Sequence, residues 1–409
     1  MKYLYIGDAI VTSLEPTSLA HALRSAENML SIEKARSKLP VTGKYVYLDH
    51  AAAGPLPDSV VEAVRASTAQ KLYGDVFWDY WERTAETTRR AIAKLINARI
   101  GEVALIPNTS EGLGIVGNGL EYKLGENIVT SNLEFTSNSF VWQAVCKRHR
   151  MEFRAVPARG ESLELGDFRT VVDKKTRLVA ISHVQFSNGF KVDMKELCDV
   201  AHERGAYVVT DAVQSVGQMP VDVKHLDVDF LACSGYKWLL SPIATGFLYV
   251  RKDLIDTVYP TLVGYRSAGV PDGFTLRTFR PAKSARRYEH GQLNFPGFAG
   301  MLEAVRFLTS YGIQHVETRI RKLTDRILEG VSRIKNASIL SSADPSHRSG
   351  IVKLSCRNPE LVKKNLRRRG IITSVRAGGL RVSPHFYNTE EEIDHLLESL
   401  KRNVSTTAG

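Results

Sequence analysis

The stretch that decides the fold is DFLACSGYKWLLSPIATGFLYV, residues 229–250. Two apolar runs of strand length, DFLACSG and GFLYV, enclose a short segment that contains one lysine, Lys237. Lysine is rarely buried in a folded protein unless it is paired or has a chemical role. The pattern therefore predicts a functional lysine at the edge of a sheet, although a lone lysine between two strands is more often a surface loop residue.

Apolar strand-length runs alternate with helix-length segments from about residue 45 to about residue 300. This alternation predicts a mostly parallel sheet that is covered by helices on both faces. A long helical stretch over 299–336 follows, and then three short strand candidates and a last helix over 389–402. We therefore expect an α/β protein with a helical N-terminal segment over 1–44 that includes an amphipathic helix over 17–38, a large domain over 45–300 and a smaller α+β domain over 301–409.

The composition is that of an ordinary globular protein. The chain has 409 residues, of which 43% are hydrophobic and 24% charged, so it can bury a sizeable core without disulfides. The four cysteines are scattered and form no CxxC pair, and neither a signal peptide nor an apolar run of transmembrane length is recognisable. These features predict a cytoplasmic protein with reduced thiols, without a structural metal site and without membrane attachment.

The net charge of +11 raises the question of an acidic partner. The densest basic clusters lie at 280–287 and 362–370, and the second has the spacing of a solvated helix face. No nucleic-acid motif accompanies either cluster. We therefore expect no nucleic-acid partner, and a non-catalytic nucleic-acid-binding protein is only a remote alternative.

Polar residues at the ends of the predicted strands point to one ligand site, because ligands of open α/β sheets bind at the carboxyl ends of the strands. Asp211 ends the apolar run AYVVTD, where it is either a turn or helix cap or a buried carboxylate that needs a cationic partner. Lys237 follows the next strand. A desolvated lysine has a lowered pKa and can form an imine with an aldehyde.

A third strand end carries small hydroxyl residues. In IPNTSEGLG, Thr109 and Ser110 lie where a strand gives way to a helix, which suits a phosphate, although an ordinary helix N-cap is the simpler interpretation of this segment alone. A phosphate site, a lysine that captures an aldehyde and an aspartate that keeps a ring nitrogen protonated fit one ligand, pyridoxal 5′-phosphate (PLP).

Several motifs carry a resemblance to a known family. They are YLDHAAAGPLP, NTSEG, SHVQFSNGF, VVTDAVQSVGQMPVDV, DFLACSGYKWLLSPIATGFLYV, RRYEHGQLNFPGFAG and RAGGLRVSPHFYNTEEEID. Together they cover roughly residues 45–400, and the chain resembles the class V aminotransferases, which are fold-type I PLP enzymes. This family includes cysteine desulfurases, isopenicillin N epimerase-like proteins and cystine C–S lyases.

The resemblance assigns roles around the cofactor ring. It implies that Lys237 is the imine-forming lysine and that Asp211 pairs with the pyridinium nitrogen. It also implies that Gln214 donates toward the phenolic oxygen and that Phe135 stacks on the ring, where cysteine desulfurases carry histidine. Phe135 could alternatively be an ordinary core residue.

The resemblance likewise implies that Ser234 binds the phosphate beside Thr109 and Ser110. Arg381 matches the arginine that grips the substrate α-carboxylate, to which its planar fork is well suited, and the alternative is a surface arginine. Arg376 is a weaker candidate for the same region.

The sequence also departs from its relatives. Phe186 occupies the position of an asparagine near the ring oxygen, and we expect Gln185 to take that polar role. Gln292 replaces a threonine that reaches the partner subunit's phosphate, and it can still donate through its amide. The catalytic cysteine of the desulfurases has no equivalent, because SVRAGG and LRVSP are almost fused here.

These motifs imply a PLP enzyme that acts on an amino acid, and a class V aminotransferase is the first expectation. A cysteine or cystine C–S lyase without the loop cysteine is the second, and an amino-acid epimerase is the third, although no second acid for the opposite ring face is recognisable. The resemblance also implies a homodimer with active sites at the interface, in which EHGQLNFPG reaches the partner's cofactor.

Overall fold

The structure, a computed structural model, describes residues 32–269 and 278–405 together with two short strands before residue 11. The predicted helix over 17–38 therefore lies largely outside the described residues. Its last part, residues 32–36, is helical. No helix among the described residues is both long and apolar enough to cross a membrane.

The strands are β1 Tyr5–Ile6, β2 Ala9–Ile10, β3 Val46–Tyr47, β4 Val103–Ile106, β5 Asn127–Ser131, β6 Glu152–Val156, β7 Thr176–Ser182, β8 Tyr207–Asp211, β9 Phe230–Ser234, β10 Gly246–Val250, β11 Ala337–Ile339, β12 Val352–Cys356, β13 Ile371–Ile372, β14 Ser374–Arg376 and β15 Gly379–Val382. The helices are α1 Asp58–Gln70, α2 Trp78–Leu95, α3 Thr109–Gly119, α4 Ser137–His149, α5 Leu165–Val171, α6 Met194–His202, α7 Val223–Leu226, α8 Phe295–Tyr311, α9 Ile313–Ser332, α10 Pro359–Arg368 and α11 Glu390–Ser405.

A seven-stranded mixed sheet forms the centre of the molecule, in the order β4-β10-β9-β8-β7-β5-β6. Neighbouring strands are parallel except β10, which runs antiparallel to both β4 and β9. All residues of β4, β5, β9 and β10 are buried, as expected for strands covered by helices on both faces. The α/β fold class is confirmed, with β10 as the antiparallel exception.

A second, antiparallel sheet in the order β11-β12-β15-β14 lies in the C-terminal part of the chain. Its core consists of apolar side chains from the sheet and from α9, α10 and α11. The short strand β3 pairs in parallel with β13, so the chain near residue 46 is joined to this part. The domain limits 1–44, 45–300 and 301–409 stay a prediction.

The predicted helical stretch over 299–336 is two helices, α8 and α9. They are separated by Gly312, whose φ of 79° is readily adopted by glycine and poorly by other residues. Helix α8 packs on α1 and α2, whereas α9 contributes to the core of the small sheet.

Candidate active site

Lys237 lies on the turn that follows β9, and it is only 8% exposed. Burial is the largest influence on its amine and lowers its pKa to about 8, although the charge of Asp211 acts in the opposite direction. The turn is held by Gly54, whose N–H donates to the carbonyl of Tyr236 at 2.8 Å. A Cβ atom on Gly54 would lie 2.1 Å from the carbonyl oxygen of Lys237. Lys237 is therefore a desolvated amine on a tightly packed turn.

Asp211 ends β8, the strand next to β9, and is 3% exposed. Burial raises the pKa of its carboxyl to about 6, while an N–H bond from Val213 and the charge of Lys237 lower it. The Val213 N–H donates to Oδ1 at 2.9 Å. A carboxylate in this environment is stabilised by a nearby cation, and a protonated ring nitrogen would supply one.

The N-terminus of α3 carries a cluster of hydroxyl groups. The Oγ of Ser234 accepts the N–H of Thr109 at 2.8 Å and lies 3.0 Å from its hydroxyl, which in turn accepts the N–H of Ser234 at 3.0 Å. The helix N-cap is Asn108, whose side chain accepts the N–H of Glu111 at 2.9 Å. Thr109 is therefore not the cap. The exposed hydroxyl of Ser110 donates to that of Ser137, at 3.1 Å. Hydroxyls and free N–H groups at a helix N-terminus suit a phosphate.

Phe135 presents an aromatic ring beside the lysine. The ring is 42% exposed, and the Nζ of Lys237 lies 5.8 Å from its centroid. The ring of Phe186 packs edge-on against it, with centroids 5.1 Å apart. An exposed ring at this position fits the stacking role better than a core role.

The residue before this ring, Glu134, is partly buried, and desolvation raises the pKa of its carboxyl to about 7. It accepts hydrogen bonds from Ser182 and Asn138, and from the amide nitrogen of Gln185 at 2.7 Å. The Oε1 atom of Gln185 is buried and has no hydrogen-bond partner among the described residues. Gln185 is thus close to the site, but its donor is directed at Glu134.

Two further glutamines, Gln214 and Gln292, were expected from the resemblance to contact the cofactor. Gln214 donates to the carbonyl of Ala51 at 3.0 Å and accepts the indole N–H of Trp238 at 2.8 Å, so it anchors the segment that carries the lysine. Gln292 is exposed, and its amide oxygen accepts the hydroxyl proton of Tyr265 at 2.8 Å. Their proposed contacts to the cofactor stay predictions.

Arg381 on β15 is 1% exposed, and its guanidinium is bound both by the small sheet and by residues outside that sheet. Its Nε donates to Ser374 at 3.1 Å, one Nη donates to the carbonyl of Phe186 at 2.7 Å, and the other lies 3.3 Å from Asp49. Burial lowers the pKa of its guanidinium to about 10. A guanidinium has five N–H donors, so donors remain that can bind a carboxylate.

Arg376 lies five positions earlier, at the end of β14, and is partly exposed. Its side chain donates to the carbonyl of Val375 at 2.8 Å. Sequence reasoning missed Asp49, the partner of Arg381. The only sequence signal was an aspartate that directly follows the apolar run YVYL.

Among the described residues, no group of three or more His, Cys, Asp or Glu side chains is arranged to hold a metal ion. The site instead combines an amine, a carboxylate, a hydroxyl cluster and an aromatic ring.

Comparison with known sequences identifies the family. The sequence model of the family described as Aminotransferase class-V matches residues 46–396. The chain belongs to the class V aminotransferase family. Similar class V proteins include a probable cysteine desulfurase of Methanothermobacter thermautotrophicus, 33% identical over 90% of this chain and 97% of that protein. A cysteine desulfurase of Escherichia coli is 30% identical over 91% of this chain and 98% of that protein. YcbU of Bacillus subtilis, an uncharacterized aminotransferase, is 26% identical over 90% and 97%.

Solved structures of class V enzymes share the fold. The apo cysteine desulfurase of Thermococcus onnurineus superimposes with a TM-score of 0.84 at 28% identity, over 91% of this chain and 98% of that one. The cystine C–S lyase C-DES in complex with cysteine persulfide superimposes equally well, with a TM-score of 0.84 at 24% identity, over 89% and 99%. This class V enzyme is a fold-type I protein whose cofactor is PLP, and the environments of Lys237, Asp211 and the hydroxyl cluster fit that cofactor.

Proposed function

We propose that this protein is a PLP-dependent lyase that cleaves the C–S bond of a sulfur-containing amino acid without storing the sulfur on a cysteine of its own. The observation that carries the proposal is the connection between β14 and β15, which consists of only Ala377 and Gly378. Both residues have positive φ, as a tight hairpin turn requires. A two-residue turn has no room for a loop that carries a catalytic cysteine.

The cysteines of the chain support this proposal. A thiol accepts sulfur as the thiolate, so a raised pKa makes it a poor acceptor. Burial raises the pKa of all four thiols, that of Cys146 to about 11. Cys146, Cys198 and Cys233 are buried, and Cys356 is partly exposed. The names of the Methanothermobacter and Escherichia relatives favour sulfur amino acids as substrates.

PLP, when bound, supplies the electron sink that makes the proton on the substrate Cα acidic. Lys237, with a pKa of about 8, is the group in this chain suited to take that proton at neutral pH. Arg381 would hold the α-carboxylate and so orient the Cα–H bond. As the proton leaves, the Cβ–S bond breaks and sulfur departs as a thiolate or, from cystine, a persulfide. Water then converts the three-carbon product to pyruvate and ammonia.

Transamination is the second candidate. The family description and the similarity to YcbU favour it, and the same lysine, aspartate and arginine would serve it. An aminotransferase leaves the amino group on the cofactor and releases a keto acid that keeps its sulfur substituent. The two reactions therefore differ in their products.

The test is to incubate the PLP-loaded protein with cysteine and with cystine and to quantify the products. Pyruvate and ammonia in equal amounts support the lyase. Alanine, the product when sulfur is passed to an enzyme cysteine, would overturn it, as would a sulfur-bearing keto acid. The Lys237→Ala variant is the blank, and we expect it to lose both turnover and the visible absorbance of the lysine-bound cofactor. Pyruvate formation at the wild-type rate by that variant would refute the role of the lysine.

We also propose that the enzyme is a cytoplasmic homodimer. The four free thiols support a reducing compartment. Large exposed apolar side chains support the dimer, because Ile243 is 80% exposed, Leu72 85% and Val76 76%. Ile243 lies only six positions after Lys237, so a second subunit seated there would be close to the active site.

A further inference from the structure

His385 is a fully buried histidine that has no part in the proposed chemistry. It lies in the segment that follows β15, four positions after Arg381, and it is 0% exposed. Its Nε2 atom lies 3.0 Å from the carbonyl oxygen of Trp238, the residue directly after Lys237. A side chain from the C-terminal part of the chain therefore contacts the turn that carries the lysine.

The neighbours of His385 fix which of its ring nitrogens carries the proton. The backbone N–H of Phe386 donates to Nδ1 at 2.9 Å, so Nδ1 is an acceptor and carries no proton. In a neutral imidazole the other nitrogen is then the donor, and Nε2–H donates to the carbonyl of Trp238. Burial lowers the pKa of this imidazole to about 4, so the ring is neutral at physiological pH and the arrangement is kept.

The turn after β9 has a backbone conformation that depends on its surroundings. The buried residue Leu240 has a φ of 55°, which residues other than glycine rarely adopt. Such a conformation persists when the surrounding structure holds it in place. Gly217 packs on the same carbonyl that His385 contacts, since an added Cβ would lie 2.4 Å from the oxygen of Trp238. This carbonyl is therefore confined by the packing of Gly217 and bound by His385.

A second buried histidine holds the segment on which His385 lies. The rings of His50 and His385 have their centroids 5.0 Å apart. The Nδ1 of His50 donates to the carbonyl of Ser383 at 2.8 Å, and its Nε2 accepts the hydroxyl proton of Tyr387 at 2.6 Å. Both partners flank His385 in the chain, so its backbone is fixed on each side.

We propose that His385 is a positioning residue that fixes the separation of Arg381 and Lys237. The strand that carries Arg381 continues directly into the segment that carries His385, so one short stretch of backbone holds both the guanidinium and the turn of the lysine. A substrate held by its α-carboxylate must present its Cα–H bond to the lysine amine. This inference rests on the proposed function, since it takes Arg381 as the carboxylate ligand and Lys237 as the base.

Two amide variants separate the roles of the two ring nitrogens. The amide of His385→Gln reaches the place of Nε2 and can donate to the carbonyl of Trp238. The shorter side chain of His385→Asn ends near the place of Nδ1 and cannot reach that carbonyl. Tyr387→Phe is the matched control, because it removes a buried hydrogen bond of the same cluster, to His50, and leaves the bond to Trp238 intact.

Three quantities are measured on the PLP-loaded wild type and on each PLP-loaded variant. The first is kcat and KM with cysteine and with cystine. The second is the pH at which the visible absorbance of the lysine-bound cofactor is half changed, which reports the surroundings of the lysine nitrogen without turnover. The third is the temperature of thermal unfolding, which reports a purely structural effect.

We expect His385→Asn to lower kcat about 10- to 100-fold and to leave KM within about threefold, because Arg381 still binds the carboxylate while Lys237 is no longer held opposite the Cα–H bond. The midpoint of the absorbance titration should move by about 0.5 pH unit or more, the scale of one lost hydrogen bond. His385→Gln should recover most of both losses. Tyr387→Phe should lower the unfolding temperature without changing the titration midpoint.

Equal losses of kcat in His385→Asn and His385→Gln would overturn this inference, as would a loss in Tyr387→Phe as large as that in His385→Asn. If His385→Asn does not fold, His385→Gln decides: a kcat and a titration midpoint close to the wild-type values support the inference, and a lowered kcat overturns it. A wild type that turns over neither substrate, or a Lys237→Ala variant with full turnover, would instead refute the proposed function.

Discussion

At the scale of single residues, burial decides the chemistry of the site. Desolvation disfavours a charge of either sign, so it lowers the pKa of the Lys237 amine to about 8 and raises that of the Asp211 carboxyl to about 6. An amine with a pKa near neutrality is available as a base and as a nucleophile at physiological pH. The same residues on a surface loop would have neither property.

Glu134 shows the same effect away from the reacting atoms, and it gives a prediction for stability. Its pKa is about 7 in the folded protein against an ordinary value of 4.5. Between these two values the folded state holds a proton that the unfolded state has released, so the free energy of unfolding falls as the pH rises. Glu134→Gln cannot ionise and should escape this loss.

We expect the stability of Glu134→Gln relative to wild type to rise by about 3 kcal/mol from pH 4.5 to pH 7 and then to level off. Urea unfolding at a series of pH values measures it. Exposed Glu121→Gln is the control. A difference that stays constant with pH would mean that the carboxylate of Glu134 is stabilised as an anion by its hydrogen bonds. The amide of Glu134→Gln also faces N–H and O–H donors that the carboxylate accepted, which changes stability by the same amount at every pH. The test is therefore how the stability difference between the variant and the wild type changes with pH, and not its size at one pH.

At the scale of elements, the turn between β9 and β10 depends on a glycine that is remote in sequence. Gly54 packs so closely on this turn that an added Cβ would lie 2.1 Å from the carbonyl oxygen of Lys237. Overpacking of this kind costs about 1–3 kcal/mol and shifts the backbone. The shift would fall on Lys237, the residue that we propose forms the imine with the cofactor.

We therefore expect Gly54→Ala to weaken PLP binding by about tenfold or more and to reduce stability by about 1–3 kcal/mol. Gly43→Ala is the matched control, because a Cβ there meets nothing within 4 Å. PLP titration followed by absorbance, together with thermal unfolding, separates the two effects. Unchanged PLP affinity in Gly54→Ala would show that the turn can move without displacing Lys237.

At the scale of the whole molecule, the exposed apolar side chain of Ile243, six positions after Lys237, leads to a prediction about assembly. Placing a charge in an apolar interface opposes association, so Ile243→Glu should convert a dimer to a monomer and lower activity. Analytical ultracentrifugation over a range of concentrations measures this. Leu124→Glu, at a position that is 82% exposed, is the control. A wild type that sediments as a monomer at every concentration would contradict the homodimer.

Much of the architecture was predictable because its signals are local. The continuous apolar runs of β4, β5, β9 and β10 reflect burial on both faces, and such runs are visible in the sequence alone. The break at Gly312 was missed, because the apolar periodicity continues on both sides of a single glycine. The antiparallel direction of β10 was not predicted either, since strand direction leaves no mark on the composition of a buried strand.

The sequence by itself singled out the residues that we propose carry the chemistry, because Lys237 and Asp211 are polar interruptions at the ends of apolar runs. Only the tertiary structure decided how the substrate end of the site is built. Arg381 is held by Asp49, which is 332 positions away, and by the backbone carbonyl of Phe186. Glu134 acquires its raised pKa from burial against distant segments. Contacts of this kind depend on how the two sheets pack together, and residues so far apart along the chain share no local pattern from which their pairing could be inferred.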